Sequence, residues 1–188
     1  MMNVWSLPKT ARIGGKEYPI NTDFRDVLEI LAYLNDASRP LYLRWQVAVR
    51  LFYEGDIPPA SMKDAMEYLS DFISYGETEG KPGPKLMDWE QDAQMIIGDV
   101  NKVAGKEIRE AEYLHWWTFL SYFYGITDGQ LSTVISIRSK KRSGKKLEKW
   151  EEEFYKKNKN IVEFRKTKTP EDAAAQEYFN KWLGGGTS

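Results

Sequence analysis

The strongest constraint on the fold is the aromatic density of residues 111–124, AlaGluTyrLeuHisTrpTrpThrPheLeuSerTyrPheTyr. Helical spacing divides the apolar side chains of this segment between two stripes, where most helices have one. The first stripe holds Tyr113, Trp117, Leu120 and Tyr124, and the second holds Trp116, Phe119 and Phe123. A helix that is apolar over so wide an arc lies either at the centre of a bundle or under a partner. Both alternatives stay open from the sequence.

Composition limits the kinds of protein that this chain can be. With 188 residues, 41% of them hydrophobic, the chain has enough apolar material for one domain of ordinary size. The absence of cysteine excludes disulfides, thiolate metal sites and cysteine nucleophiles. The first residues lack the pattern of a secretory signal, and no stretch reaches the roughly 18 apolar residues of a membrane span. We therefore expect a cytoplasmic protein with no membrane partner.

Apolar periodicity predicts a mainly α fold, a helical bundle of about seven helices with a short N-terminal β-hairpin. Gly14 and Gly15 lie between two short alternating runs, which is typical of a tight hairpin turn within residues 11–20. Thr22 or Asp23 is the expected cap of the first helix. The helices are predicted at about residues 23–35, 40–54, 61–75, 88–104, 111–124, 128–137 and 146–157.

Three of these helices carry predictions about their caps or faces. Asp88 and Asp128 are expected to cap the fourth and sixth helices, because each precedes a periodic apolar run. The seventh helix is expected to turn its apolar residues inward and its acidic run outward. The inward set is Leu147, Trp150 and Phe154, and the outward set is Glu151 to Glu153.

Residues 1–164 are predicted to form a single helical domain, and residues 165–188 a C-terminal tail. Within the domain, Gly, Pro and charged residues make 77–87 a candidate hinge loop. The tail contains a short amphipathic helix with Tyr178, Phe179, Trp182 and Leu183 on its apolar edge. That helix either docks on the domain or is free until a partner arrives.

Charge is distributed unevenly, although the formal net charge is only −1. Residues 1–137 hold 13 Lys/Arg and 20 Asp/Glu, residues 138–168 hold 13 and 5, and residues 169–188 hold 1 and 3. The basic stretch 138–149 suits nucleic acid, because clustered cations release counterions from phosphates. The stretch lacks the interleaved aromatic residues of a single-strand binder. We therefore favour the competing interpretation, a solvated helix end that faces the acidic run Glu151 to Glu153 or an acidic partner surface.

The polar residues that could carry chemistry have simpler structural explanations. His115 is the only histidine, so a zinc site is disfavoured, and no nucleophile elbow accompanies it for a serine triad. Asp88, Glu90, Asp92 and Asp99 resemble a divalent-ion cluster, but acidic residues in a first helical turn cap free backbone N–H groups. The glycine-rich stretches lack the spacing of a phosphate-binding loop. We predict no enzyme activity, no metal and no cofactor.

Three runs of residues carry a resemblance to a known family. They are AspTrpGluGlnAspAlaGlnMetIleIle (88–97), LeuHisTrpTrpThrPheLeuSerTyrPheTyrGly (114–125) and IleSerIleArgSerLysLys (135–141). The hairpin, ThrAspPheArg (22–25) and LysTrpGluGluGluPheTyr (149–155) fit the same pattern. The chain resembles the bacteriophage gene-product-fifteen family of tailed phages and prophages of Gram-positive bacteria, over roughly residues 11–164.

The resemblance implies a place in phage tail assembly, in the cytoplasm of the bacterial host or in the virion. In such genomes the gene usually lies between those for the major tail protein and the tape-measure protein. The implied function is a non-catalytic chaperone that binds the tape-measure protein. The alternatives are a structural tail or connector subunit that forms homo-oligomers, and a nucleic-acid binder that uses residues 138–149. The candidate partner-binding residues are His115, Trp116, Trp117, Phe119, Phe123, Arg138 and Lys141.

Overall fold

The structure, a computed structural model of the chain, describes residues 5–75 and 84–165. It begins with an antiparallel hairpin of β1 (Thr10–Ile13) and β2 (Lys16–Pro19). The turn residues Gly14 and Gly15 have φ angles of 57° and 82°, which the tight turn requires and glycine adopts without strain. The predicted hairpin is confirmed.

The rest of the described chain is helical, which confirms the mainly α prediction. Two single 3₁₀ turns, Pro59–Ser61 and Ile108–Glu110, lie between the α-helices. The α-helices are α1 (Phe24–Asn35), α2 (Leu41–Phe52), α3 (Met62–Ile73), α4 (Ala93–Ala104), α5 (Trp116–Tyr124), α6 (Gln130–Arg142), α7 (Lys149–Lys157) and α8 (Lys159–Val162). The short α8 was not predicted from the sequence.

Helix α5 lies at the centre of the bundle. It packs against α1 on one side and α4 on the other, while α6 packs against both α4 and α8. Trp116, Trp117 and Phe119 are each only 1% exposed. For these three rings the structure shows the first of the two alternatives, because the chain's own core covers them. Tyr113 and Tyr124, at the ends of the first predicted stripe, are 49% and 60% exposed.

The two tryptophans at the start of α5 also close the end of another helix. The Trp116 indole donates to the carbonyl of Ile73 at 3.0 Å, and the Trp117 indole donates to that of Phe72 at 2.9 Å. These carbonyls belong to the last turn of α3, where the helix itself supplies no donors. Adjacent indoles thus bind two carbonyls at the end of α3 and fix α3 against α5.

Several predicted boundaries and faces are wrong. Helix α5 starts at Trp116 instead of residue 111, and α4 starts at Ala93 instead of residue 88. Helix α6 has Gly129 at its N-cap and no side-chain cap of its own, so Asp128 does not cap it. In α7 the predicted faces are exchanged at two positions, because Trp150 is 54% exposed and Glu151 only 1%.

Part of the predicted organisation falls outside the described residues. Residues 166–188 lie there, and so does the amphipathic helix predicted within them. Of the predicted hinge loop, residues 84–87 are described, and they have no regular secondary structure. Within 5–75 and 84–165, no helix has the length and apolar character needed to cross a membrane.

Candidate functional site

The segments ThrAspPheArg (22–25) and LeuHisTrpTrp (114–117) meet in space, although about 90 residues separate them. Asp23 pairs with His115 in an isolated antiparallel bridge, in which the Phe24 amide donates to Leu114 and the Trp116 amide donates to Thr22. Asp23 caps α1 and also accepts from the amide of Leu114 at 3.0 Å. The bridge therefore joins the first turns of α1 and α5.

His115 is the N-cap of α5, and its bonds fix its protonation state. Its Nδ1 accepts from the Trp117 amide at 3.0 Å, and its Nε2 lies 3.0 Å from the Pro8 carbonyl oxygen. Because a carbonyl oxygen only accepts, Nε2 carries the hydrogen and Nδ1 does not. Burial lowers the pKa of His115 below its usual value, and the nearby charge of Lys9 acts in the same direction. A neutral histidine used as a helix cap was not predicted.

Arg138 and Asp92 form a buried ion pair between α6 and the start of α4. The guanidinium meets the carboxylate through two nearly parallel bonds, from Nη1 at 2.6 Å and from Nη2 at 2.9 Å. Both side chains are almost fully buried. The two bonds match the fork geometry in which arginine binds carboxylate most strongly.

The remaining N–H groups of Arg138 bind backbone carbonyls from two other segments. Nε donates to Val162, Nη1 to Leu86 and Nη2 to Ile161, at 2.7, 3.0 and 2.8 Å. All five guanidinium donors are thereby used. The Phe164 ring covers the group at 4.1 Å from its centroid. One side chain thus binds the segment before α4, helix α6 and helix α8 together.

A second ion pair joins α6 to α7. Lys140 donates to both carboxylate oxygens of Glu151, at 2.7 and 2.8 Å. Glu151 also accepts from the amide of Glu148, which completes a capping box at the start of α7. The bond with Lys140, followed by that with the Glu148 amide, lowers the pKa of Glu151, and the bond with Glu151 raises the pKa of Lys140.

Helix α6 receives its cap from α4. The Asp99 carboxylate accepts from the amide of Leu131 at 3.0 Å and from Lys102 at 3.0 Å. This carboxylate lies against Gly129, whose φ is 147° and whose Cα would carry a side chain directly into it. A carboxylate from a neighbouring helix therefore does what Asp128 was expected to do.

The acidic residues before α4 serve the backbone and two cations. Asp88 accepts from the amides of Glu90 and Gln91 at 3.0 and 2.8 Å, as a cap does, but it caps a turn and not the helix. Asp92 accepts from the amide of Asp88 in addition to Arg138. In the described part of the chain, no three His, Asp or Glu side chains converge as a metal site would require.

An open cleft of about 300 Å³ lies beside the Arg138 guanidinium. It is lined by Lys85, Arg138, Lys141, Arg142, Val162, Glu163 and Phe164. The carboxylate of Glu163 is bound by the Tyr155 hydroxyl and lies 3.9 Å from Lys159. Among the described residues, neither Lys141 nor Arg142 has a carboxylate partner, so this basic cleft has two unneutralised cations at its edge.

The structure places the seven predicted partner-binding residues in two environments. Five are buried and bind or pack against the chain's own core: His115, Trp116, Trp117, Phe119 and Arg138. Phe123 is half-buried, with its ring 5.1 Å from that of Trp89. Lys141 is exposed and its ammonium lies 3.4 Å from the Tyr155 ring centroid. Of the seven, only Arg138 and Lys141 line the basic cleft.

Two buried charges that were missed had a signal in the sequence. Arg138 falls seven residues after Leu131 and four after Val134, so it lies on the inward stripe of α6. Glu151 likewise falls on the stripe of Leu147 and Phe154. A charged residue on an apolar stripe requires a buried partner, because an unpaired buried charge is costly. The partners themselves, Asp92 and Lys140, could not be named from spacing.

The segments that carry these contacts are those that resemble the phage family. A family model described as bacteriophage Gp15 protein matches residues 5–164. The chain belongs to the bacteriophage Gp15 protein family. Searches of curated proteins and of solved structures found no match.

The Gp15 match covers nearly all of the described chain, including the hairpin, the helices and the basic cleft. It confirms the resemblance inferred from the five motifs. Membership of the Gp15 family indicates a phage structural or assembly protein. The motif residues of this Gp15 chain contact one another in pairs: 22–25 with 114–117, and 88–92 and 149–155 each with the basic end of α6.

Proposed function

We propose that this Gp15-family chain is a non-catalytic phage tail-assembly protein that binds other tail proteins, with the tape-measure protein as its client. The observation that carries the proposal is the use made of the polar motif residues. The ring nitrogens of His115 bind the chain's own backbone, and Arg138 and Asp92 bind each other. A protein of this kind binds its partners through its outer surface, and the rigid interior holds that surface in shape.

The buried position of α5 changes where the client would bind. The rings of Trp116, Trp117 and Phe119 cannot lie in a groove that receives a client helix, because the chain's own core already covers them. Contacts therefore have to use outward-facing residues, and the basic cleft is the charged candidate among them. The acidic composition of residues 1–137 and the basic stretch after it support assembly through surfaces of opposite charge.

Co-expression with the tape-measure protein of the same phage genome tests the proposal. The tape-measure protein alone is the control for solubility. We expect this chain to raise the soluble fraction of the tape-measure protein and to co-purify with it. If the two proteins neither co-purify nor change each other's solubility, the chaperone function is wrong.

A structural tail or connector subunit is the alternative outcome. Proteomics of purified particles separates the two functions, because a chaperone is missing from mature virions and a structural subunit is present in fixed copy number. The measurement needs no variant. Detection in stoichiometric amounts would replace the chaperone with the structural subunit.

Nucleic-acid binding is less well supported by the contacts of the basic stretch. Arg138 is committed to Asp92 and Lys140 to Glu151, so two cations of this stretch are not available to phosphate. A gel-shift assay at low salt with Lys141, Lys145 and Lys146 changed to Glu tests what remains. A shift that is strong in the wild type, steeply salt-dependent and lost in this variant would favour the nucleic-acid function.

A further inference from the structure

The basic cleft is the one surface site that the proposed function does not assign to a particular ligand. Along the C-terminal part of α6, Arg138 and Lys140 both have buried carboxylate partners. Lys141 and Arg142, on the same helix, have none among the described residues. The half-buried Phe164 ring, whose centroid lies 4.1 Å from the Arg138 guanidinium carbon and 5.5 Å from the Lys85 ammonium, supplies an apolar wall of the cleft. The site therefore suits a ligand with carboxylates next to an apolar side chain.

The chain itself leads out of the described structure at this cleft. Val162, Glu163 and Phe164 line it, and the next residue is held beside it by Gln91. The Gln91 side chain donates to the Glu163 carbonyl at 2.7 Å and accepts from the Arg165 amide at 2.8 Å. These two bonds fix the point from which residues 166–188 start.

We propose that the acidic, aromatic segment 169–183 of this chain binds in the basic cleft. Glu171 and Asp172 supply the carboxylates for Lys141 and Arg142, and the apolar edge of the segment contacts Phe164. That edge consists of Tyr178, Phe179, Trp182 and Leu183. Glu171 is the sixth residue after Arg165, a chain length that spans about 13 Å on average, so the carboxylates reach the cleft without strain.

Because the segment is part of the same chain, it competes with other ligands for the basic cleft. Its effective concentration at the cleft is on the order of millimolar, so an acidic partner segment has to displace it. The cleft contact should weaken as salt rises, because Lys141 and Arg142 lie at the exposed edge. The tail thus acts as an intramolecular competitor for acidic ligands.

Distance measurement between two spin labels tests this proposal in the full-length chain. The chain has no cysteine, so Ser139→Cys on the exposed face of α6 and Asn180→Cys in the tail can be labelled selectively. We expect one narrow distance distribution in the unmodified background. Lys141→Glu with Arg142→Glu should abolish it, and adding Glu171→Lys with Asp172→Lys should restore it.

The control is Lys145→Glu with Lys146→Glu, which makes the same change of charge outside the cleft lining and should leave the distribution narrow. Residues 76–83 contain two further carboxylates, so Glu77→Gln with Glu79→Gln is the second control. A broad distribution in the unmodified background overturns the proposal. So does equal loss in the Lys145/Lys146 control, or a loss produced by Glu77/Glu79 and not by Lys141/Arg142.

Discussion

Arg138 organises more of this protein than any other described polar side chain. Two segments that are distant from α6 in sequence, 86–92 and 161–162, meet on its five N–H groups, and none of those groups is free for a second ligand. The pair with Asp92 adds little to the net free energy of unfolding, because two charges have been taken out of water. Its larger effect is to specify which segments pack together. Removing one partner, in contrast, leaves the other as an unpaired buried charge, which destabilises the folded state.

Arg138→Lys should therefore destabilise the protein even though the charge is kept. A lysine ammonium has three donors and no fork geometry, so at least two of the five hydrogen bonds to Asp92 and the backbone carbonyls are lost. We expect a loss of about 3 kcal/mol in the free energy of unfolding, measured by urea titration. Lys63→Met is the control, because its pair with Glu67 is exposed, and it should change little. Equal urea midpoints for Arg138→Lys and wild type would refute the role given to the guanidinium.

His115 should make stability depend on pH. In the unfolded chain its pKa lies near 6.5, and in the folded chain burial holds the pKa lower. The unfolded state therefore binds a proton that the folded state refuses, and this disfavours folding at acid pH. The stabilisation is complete above about pH 6.5 and is lost as the pH falls toward the folded pKa, by at most about 1.4 kcal/mol per pH unit.

His115→Asn isolates that contribution, because asparagine also caps helices but does not titrate. Urea titrations from pH 5 to pH 8 should give a difference in unfolding free energy between wild type and variant that shrinks or reverses on acidification. A difference that is constant across this range would show that His115 does not titrate between the folded and unfolded states.

For single residues, the sequence indicates which charges are buried more readily than it indicates their partners. The cap of α1 was predicted as Thr22 or Asp23, from local sequence alone, and the structure shows that it is Asp23. Asp99 caps α6 from another helix, and Asp92 meets Arg138 across 46 positions. Such contacts depend on how helices pack, which single-sequence periodicity does not encode.

Gly129, the N-cap of α6, has no room for a side chain. A Cβ there would lie 2.3 Å from an Asp99 carboxylate oxygen, and the residue has a φ of 147°. Gly129→Ala should therefore displace the cap of α6 and destabilise the protein by about 2 kcal/mol or more. Thermal unfolding followed by circular dichroism measures it.

Gly98→Ala is the matched control for this change. Gly98 lies within α4, has open space around its Cα and is exposed, so alanine should stabilise by about 0.5–1 kcal/mol. If both alanine variants shift the melting temperature in the same direction, the contact between Asp99 and Gly129 does not matter as described.

Helix α7 offers a test of register. The sequence pattern predicts that Trp150 and Phe154 both face inward, whereas in the structure Trp150 is largely exposed and Phe154 packs against the core. Trp150→Ala should therefore be almost neutral, and Phe154→Ala should cost about 2 kcal/mol. Denaturant titration of the two variants decides, and a larger loss for Trp150→Ala would favour the sequence pattern over the structure.

The elements of this fold follow from the sequence to different degrees. The hairpin and α1 agree with prediction because glycine pairs and local caps act over a few residues. The starts of α4 and α5 were predicted five residues too early, because contacts with distant segments act at both starts. Arg138 binds Asp92 at the start of α4, and Asp23 pairs with His115 at the start of α5. In α7 the apolar ring of Trp150 led to the prediction that Trp150 faces inward and Glu151 outward. The pairing with Lys140 makes it possible to bury the Glu151 carboxylate instead.

At the scale of the whole molecule, one helix connects the two halves of the structure. Helix α5 contacts α1 and the end of α3 on the N-terminal side, and α4 on the C-terminal side. The sequence predicted an unusually apolar helix there, but it could not say whether the cover came from the same chain. The contacts of Trp116, Trp117 and Phe119 answer that question within one chain.

Hydrogen–deuterium exchange of the purified protein, without any partner, tests this account most directly. Exchange reports local opening, and amides in a self-covered central helix open only with the whole fold. We expect the amides of α5 and of the bridge between 22–24 and 114–116 to be among the slowest in the molecule. Fast exchange in α5, slowed only when a phage tail protein is added, would contradict the claim that the chain covers its own aromatic helix.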